Sequence, residues 1–159
     1  SWSKYANNEL IKNFSKWYNL KYVIVYYYNV YGENQIASGH MAAVIGIFEK
    51  QYLLNKPLTI VKPGTQKRDF THVEDIANGT YLAAKKTNNS EFHIGCGKNY
   101  SIKEVAQMFN HPTLMIEERP GERFTSLSNS NKAKRILGYK PKHNLRSYIK
   151  NFINKNKKG

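Results

Sequence analysis

A chain of 159 residues with 40% hydrophobic and 13% aromatic residues can bury a core and is too apolar to stay disordered, which predicts one domain or two small ones. Its single cysteine, Cys96, excludes an internal disulfide framework and a cysteine-based zinc site, and no apolar run approaches the roughly 18 residues a membrane span needs. The net charge of +14 is lopsided: from Glu122 onward eleven basic residues stand against that one acid, which places +10 of it there.

Taken in chain order, the apolar pattern alternates between helical and extended periods. Leu10, Ile11, Phe14, Trp17 and Tyr18 fall on one helical stripe, with Asn19 as its stop. Tyr22 to Val30 is β-branched and aromatic and predicts a strand buried on both faces. Gly32 to Gly39 is polar and loop-like. Ala42 to Leu54 reads as a helix with Val44, Ile47, Phe48 and Tyr52 inward. Leu58 to Val61 is a short strand, and Pro63-Gly64 marks a turn. Val73 to Lys85 is helical and Phe92 to Ile94 extended. Ser101 with Glu104 is a capping box opening a helix over Ile102 to Phe109. Thr113 to Ile116 is a strand, Asn131 to Leu137 a helix ended by Gly138, and Leu145 to Ile153 a last helix. Strands alternating with helices predict an α/β fold.

The basic residues fit nucleic acid, an anionic membrane surface or an anionic substrate. They are scattered along helix-like stretches in an Asn-rich and Lys-rich chain, which reads as compositional drift over a solvated face. No apolar leader core opens the sequence, so the expected compartment is cytoplasmic. The first residue is Ser1, which reads as a processed product or a piece of a longer chain.

Most site signals are weak when taken singly. Gly95-Cys96-Gly97 lacks the third glycine of a dinucleotide fingerprint, Tyr100 standing there, and reads as a tight turn between strand and helix. The histidines at 40, 72, 93, 111 and 143 show no pair at metal-ligand spacing with a carboxylate, so no metal site is expected. His72, beside Asp69, Glu74 and Asp75, reads as a strand-to-helix junction in preference to a proton-transfer cluster. No serine has a G-x-S-x-G setting. Three segments say more. Arg68 stands just before a short strand and a helix, Arg119 lies in an Arg-Pro-Gly-Glu turn, and Asn29 ends the buried strand. Ligands of open α/β sheets bind beyond the carboxyl ends of strands. Guanidinium forks and an amide at that edge suit a diphosphate.

Read together, the motifs stand in register: Ser3-Lys4 with Glu9, then YYNVYG, QKRDFTHVEDI, FHIGCGKNYS, RPGE and SNKAKRILGYKP. In that order they resemble the extended short-chain dehydrogenase/reductase family, the NAD-dependent nucleotide-sugar epimerases and dehydratases, over residues 1 to about 153. The subgroup most resembled is the UDP-sugar 4-epimerase type. The resemblance implies the C-terminal part of a Rossmann-type parallel sheet plus the small α/β substrate-binding domain. It assigns residues 1–32 to the dinucleotide-binding domain and 33–159 mainly to the nucleotide-sugar region, some segments returning to the sheet.

The resemblance also implies roles. Lys4 matches the lysine of the family's Tyr-x-x-x-Lys motif, catalytic and cofactor-binding, whose tyrosine would stand immediately before Ser1. An ammonium there lowers the tyrosine pKa and bonds the nicotinamide ribose. Tyr28 matches a cofactor-pocket position. Asn29, Arg68 and Arg119 match diphosphate-binding positions, and Glu122 matches an acid that bonds the uridine ribose. Asp69 and Asp75 are left as structural. NAD is implied, held mainly by an N-terminal half that these residues do not include, and the chain alone is expected to be inactive. Departures at Tyr26, Gly39-His40, Lys62-Pro63-Gly64 and Ser126 bear on which sugar is used.

The expected partner is therefore a nucleotide sugar, a UDP-sugar first, with no membrane. A homodimer through the first helix, or a complementing N-terminal chain, fits the same family, and the 10–18 stripe serves such a pairing or the core. The alternatives are a 4,6-dehydratase or decarboxylase of the same family and, from a different class, a basic nucleic-acid-binding module using the twelve tyrosines to stack bases.

Overall fold

In the computed structural model, which describes residues 2–118, 121 and 123–156, the predicted alternation of helices and strands is present. Helix α1 (Trp2–Tyr18) ends at Asn19, whose φ of 52° makes the left-handed turn that Asn tolerates after a helix. Then come β1 (Val23–Tyr27), β2 (Asn29–Tyr31), α2 (Val44–Leu53), β3 (Leu58–Val61), β4 (Lys67–His72), α3 (Val73–Lys86) and β5 (Ser90–Ile94). The remainder is β6 (Asn99–Ser101), α4 (Ile102–Met108), β7 (Thr113–Ile116), α5 (Asn131–Leu137) and α6 (Leu145–Asn156).

The strands form three small sheets. β1 pairs parallel with β5, β3 pairs parallel with β7, and β4 lies between parallel β2 and antiparallel β6. Two cores follow from this. One gathers Tyr31, Ile45, Phe48, Leu58, Phe70, Val105, Phe109 and Ile149 beneath α2, α4 and α6. The other packs Ile76 and Ala83 of α3 and Ala133 and Leu137 of α5 against Phe92 and Ile94 of β5.

Local chemistry sets the helix ends. Ser101 Oγ accepts from the Glu104 amide at 3.1 Å and Glu104 Oε2 accepts from the Ser101 amide at 2.7 Å, completing the predicted capping box. α3 is N-capped by His72, with Glu74 and Asp75 in its first turn and Lys85 and Lys86 in its last, each sign at the end where the helix dipole favours it. Gly138, at a φ of 70°, terminates α5 as expected.

Several expectations change. The single strand over Tyr22–Val30 is two: at Tyr28 the chain leaves the pair with β5 and begins the pair with β4, so the break is a change of partner. Burial on both faces does not hold either; only Ile24 of β1 is buried, and Tyr27 is 49% exposed. β4 begins at Lys67 and so contains Arg68, and β6 is an additional strand. The stripe on α1 buries none of its residues.

Candidate functional site

The break at Tyr28 sits beside a cleft of about 770 Å³, bounded by α1, β1, the start of β2 and β4, and the segment around Arg123 and Ser126. Lys4, Tyr28, Asn29 and Arg68 all line it. Arg119 and Glu122, the other two sequence-derived positions, lie outside the described residues.

A polar network sets α1, and hence Lys4, against this cleft. Tyr26 Oη donates to Glu91 Oε2 at 2.8 Å and accepts from Asn8 Nδ2 at 2.9 Å. Lys12 Nζ reaches Glu91 at 2.8 Å and Glu9 at 3.2 Å, and holds the Glu91 carboxyl below the usual carboxylate range. α1 is thus fixed through polar side chains while its own residues stay unburied.

Behind the cleft runs an aromatic column. Tyr26 stacks on His93 with centroids 4.8 Å apart, and the Tyr28 hydroxyl hydrogen-bonds His93 Nδ1 at 3.0 Å. Partial burial raises the Tyr28 pKa, the Asp69 charge adds to this, and Arg123 opposes it. Tyr28 is therefore a neutral phenol at physiological pH, a stacking and hydrogen-bonding surface with no base function.

Arg68 lies within β4 itself. Its Nη1 donates to the Lys67 carbonyl at 2.9 Å. Its neighbour Asp69 is fully buried and saturated: Oδ1 accepts from the Cys96 amide and thiol, both at 3.2 Å, and from Thr71 Oγ1 at 3.1 Å. Oδ2 accepts from the Gly97 amide at 3.0 Å and from Ser128 through its amide at 3.0 Å and its hydroxyl at 2.6 Å. Burial and the Asp69 charge push the Cys96 thiol up to about 12, so it is an unreactive donor. The Gly95-Cys96-Gly97 turn thus wraps a carboxylate of the chain itself, which agrees with its reading as a tight turn. Asp75, also buried, accepts from the Lys142 and His143 amides at 2.9 and 3.0 Å.

Asn29 and Arg68 also line a smaller cavity of about 190 Å³. Its other walls combine Ala42, Ala43, Val61 and Ile116 with the polar Thr59 and Gln66, and Gln66 Nε2 donates to the Val61 carbonyl at 3.1 Å to brace one side. Together the two spaces present a cation and a phenol, then an amide and a guanidinium, then a small slot of mixed polar and apolar lining. That order of chemistry fits an elongated ligand with a polar head, an anionic middle and a flat end that carries both hydrogen-bonding and apolar surface. His93, Arg123 and the slot were not singled out from sequence. Arg123 had a visible signal, a further arginine just past the Arg-Pro-Gly-Glu turn.

Five of the twelve tyrosines are not free to stack bases. Tyr31, Tyr100 and Tyr139 are buried in or beside the cores, and Tyr26 and Tyr28 are engaged in the column. Among the described residues no helix is long and apolar enough to cross a membrane. The five histidines, unremarkable by spacing, are not all isolated in space: His72 and His143 stack beside Glu74, well separated from one another in sequence.

Comparison with known proteins gives a consistent result. The model of the NAD dependent epimerase/dehydratase family matches residues 1–95. A UDP-glucose 4-epimerase homologue of Methanocaldococcus jannaschii is 35% identical over 158 residues, covering 96% of this chain and 51% of the relative. Among solved structures, UDP-glucose 4-epimerase from Thermotoga maritima with UDP-glucose superposes with a TM-score of 0.87 at 28% identity, covering 96% of this chain and 52% of that one. UDP-glucuronic acid 4-epimerase from Bacillus cereus, in complex with UDP-glucuronic acid and NAD, gives 0.82 at 28% identity, covering 93% and 50%. The chain therefore spans about half the length of the relatives it matches, and its mixed α/β architecture matches the C-terminal portion of their Rossmann-type fold.

Proposed function

Since the chain belongs to the NAD dependent epimerase/dehydratase family, we propose that it forms the nucleotide-sugar-binding side of a UDP-sugar 4-epimerase. The observation that carries this reading is the convergence of Lys4, Tyr28, Asn29 and Arg68 on one cleft, with Asn29 and Arg68 shared with a smaller slot. In this reading Arg68 and Asn29 hold the diphosphate, the slot takes the base, and the sugar points toward Tyr28 and Lys4. The family resemblance assigns Arg119 to the diphosphate and Glu122 to the nucleoside ribose. Residues 1–32 complete a dinucleotide-binding unit to which β5 returns through its pairing with β1, and residues 33–159 form mainly the nucleotide-sugar region.

The donor set also fits NAD. Lys4 offers a cation for the nicotinamide ribose hydroxyls, and Tyr28 offers a neutral ring beside it. When bound, NAD supplies a reversible hydride acceptor for oxidation at a sugar carbon. The chain's own residues then orient and polarise: the Lys4 ammonium stabilises a phenolate from a motif tyrosine preceding it, and Arg68 holds the charged middle of the substrate while the sugar turns. In this reading turnover also requires the family's glycine-rich loop and motif tyrosine, which are not among these 159 residues.

Titrating UDP and UDP-glucose into the protein by calorimetry tests the reading. Both should bind at one site, with affinity weakened about tenfold or more by Arg68→Ala, since a charge-assisted hydrogen bond is worth about 1.5–3 kcal/mol. No binding, or equal affinity in the variant, would reject it.

A further inference from the structure

At the carboxyl ends of β2 and β4, apart from the cleft, three potential ligands meet. His72 is the last residue of β4, Glu74 lies in the first turn of α3, and His143 arrives from the linker before α6. One donor atom from each lies within 4.8 Å of the others. We propose that His72, Glu74 and His143 form a binding site for a divalent transition-metal ion of the zinc class, which pins the start of α3 to the linker before α6.

The local geometry suits such an ion. His143 Nδ1 sits 3.1 Å from Asp75 Oδ1, and Asp75 is buried. That is the carboxylate–histidine arrangement which fixes the ring and leaves Nε2 as the ligating atom. His143 Nε2 lies 3.0 Å from Glu74 Oε2. Two ligands on one ion, each about 2.0–2.1 Å from it, stand about 3–3.5 Å apart at tetrahedral angles. The ion can thus sit between Nε2 and Oε2 with almost no movement, any proton on Nε2 leaving to solvent while Nδ1 keeps its contact with Asp75.

His72 supplies the third ligand. Its ring stacks on His143 with centroids 4.1 Å apart and planes 20° apart, so an ion in the plane of the His143 ring lies off the His72 plane, and His72 must turn about its side-chain torsions to ligate it. Its present bond, accepted from the Glu74 amide, is long at 3.3 Å and is readily exchanged for a metal bond. Two imidazoles and a carboxylate with water in the fourth position is an accepted zinc donor set. Cys96 does not compete, since its thiol is bonded to Asp69.

The experiment is a Zn²⁺ titration of the metal-stripped protein at pH 7.5, followed by calorimetry and by thermal melting, with Co²⁺ absorption as a second probe. The site predicts one equivalent bound, a raised melting temperature, and visible Co²⁺ bands typical of four-coordinate geometry. His143→Gln and Glu74→Gln should each weaken Zn²⁺ at least tenfold and abolish the melting shift. Glu74 is exposed, so its variant folds irrespective of the metal. Affinity should also fall as the pH drops, because protons compete with the metal for its ligands. Absence of binding, or binding unchanged in both variants and hence located at other histidines, would overturn the site. Neither outcome depends on nucleotide-sugar binding.

Discussion

Ser128 Oγ donates to the buried Asp69 Oδ2 at 2.6 Å, joining strand β4 to a segment 59 residues further along the chain. The same carboxylate collects the Cys96, Gly97 and Ser128 amides. One buried charge therefore fixes the position of Arg68, the turn after β5 and the segment carrying Ser126 on the cleft wall. Asp69→Asn presents an amide NH₂ to these donors and should destabilise the fold by about 3 kcal/mol, with Ser128→Ala costing about 1–2 kcal/mol. Urea denaturation of both variants checks the order. Equal small effects would mean that the carboxylate is not the hub.

The placement of Lys4 rests on polar contacts. Tyr26→Phe removes the hydroxyl that links Asn8 to Glu91 and should cost about 1 kcal/mol. Its diagnostic effect is local: amide exchange in α1 should quicken while α3 and α4 remain protected. Uniformly faster exchange across the protein would contradict a local role.

Glu49 supplies a pH dependence with a definite sign. Burial raises its pKa above the ordinary carboxylate value, although hydrogen bonds from Tyr148 and Gln35 act to lower it. The fold therefore favours the protonated acid more than the unfolded chain does. That stabilisation is complete below the usual carboxylate pKa and is lost as the pH rises through the raised value. Glu49→Gln, which stays neutral, should gain in melting temperature relative to the parent between pH 4 and pH 7. A flat or falling difference would be the opposite result.

Salt separates the two classes of partner considered from sequence. Binding through a pocket with few phosphate contacts should weaken modestly between 50 and 200 mM salt, whereas a basic surface contacting about 6–10 phosphates loses roughly 10³–10⁵ in affinity. Parallel titrations with UDP and with a single-stranded oligonucleotide give the comparison. Tight oligonucleotide binding at physiological salt with no response to UDP would favour the nucleic-acid reading.

What was legible in the sequence was local. Ser101 and Glu104 marked a helix start, and Asn19 and Gly138 marked helix ends, because caps depend on residues within a turn of one another. The Leu10–Tyr18 stripe correctly announced a helix, but periodicity does not say what covers the face. The break at Tyr28 was hidden because an unbroken apolar run looks the same whether it keeps one strand partner or changes it. β6 is three residues long and too short to show a period. Lys4, Tyr28, Asn29 and Arg68 became candidates through motifs in register, and their meeting in one cleft required the fold. The meeting of His72 with His143 was hidden because a spacing rule sees only neighbours in sequence, whereas Asp75 draws the His143 linker across from the far end of the chain.

The most direct test of the central claim is a crystal structure of the protein grown with UDP-glucose. The account predicts the diphosphate within hydrogen-bond reach of Arg68 and Asn29, the base in the slot beside Ala42, Val61 and Ile116, and the sugar directed at Tyr28 and Lys4. A diphosphate lodged elsewhere, with Arg68 and Asn29 making no contact to it, would contradict the account.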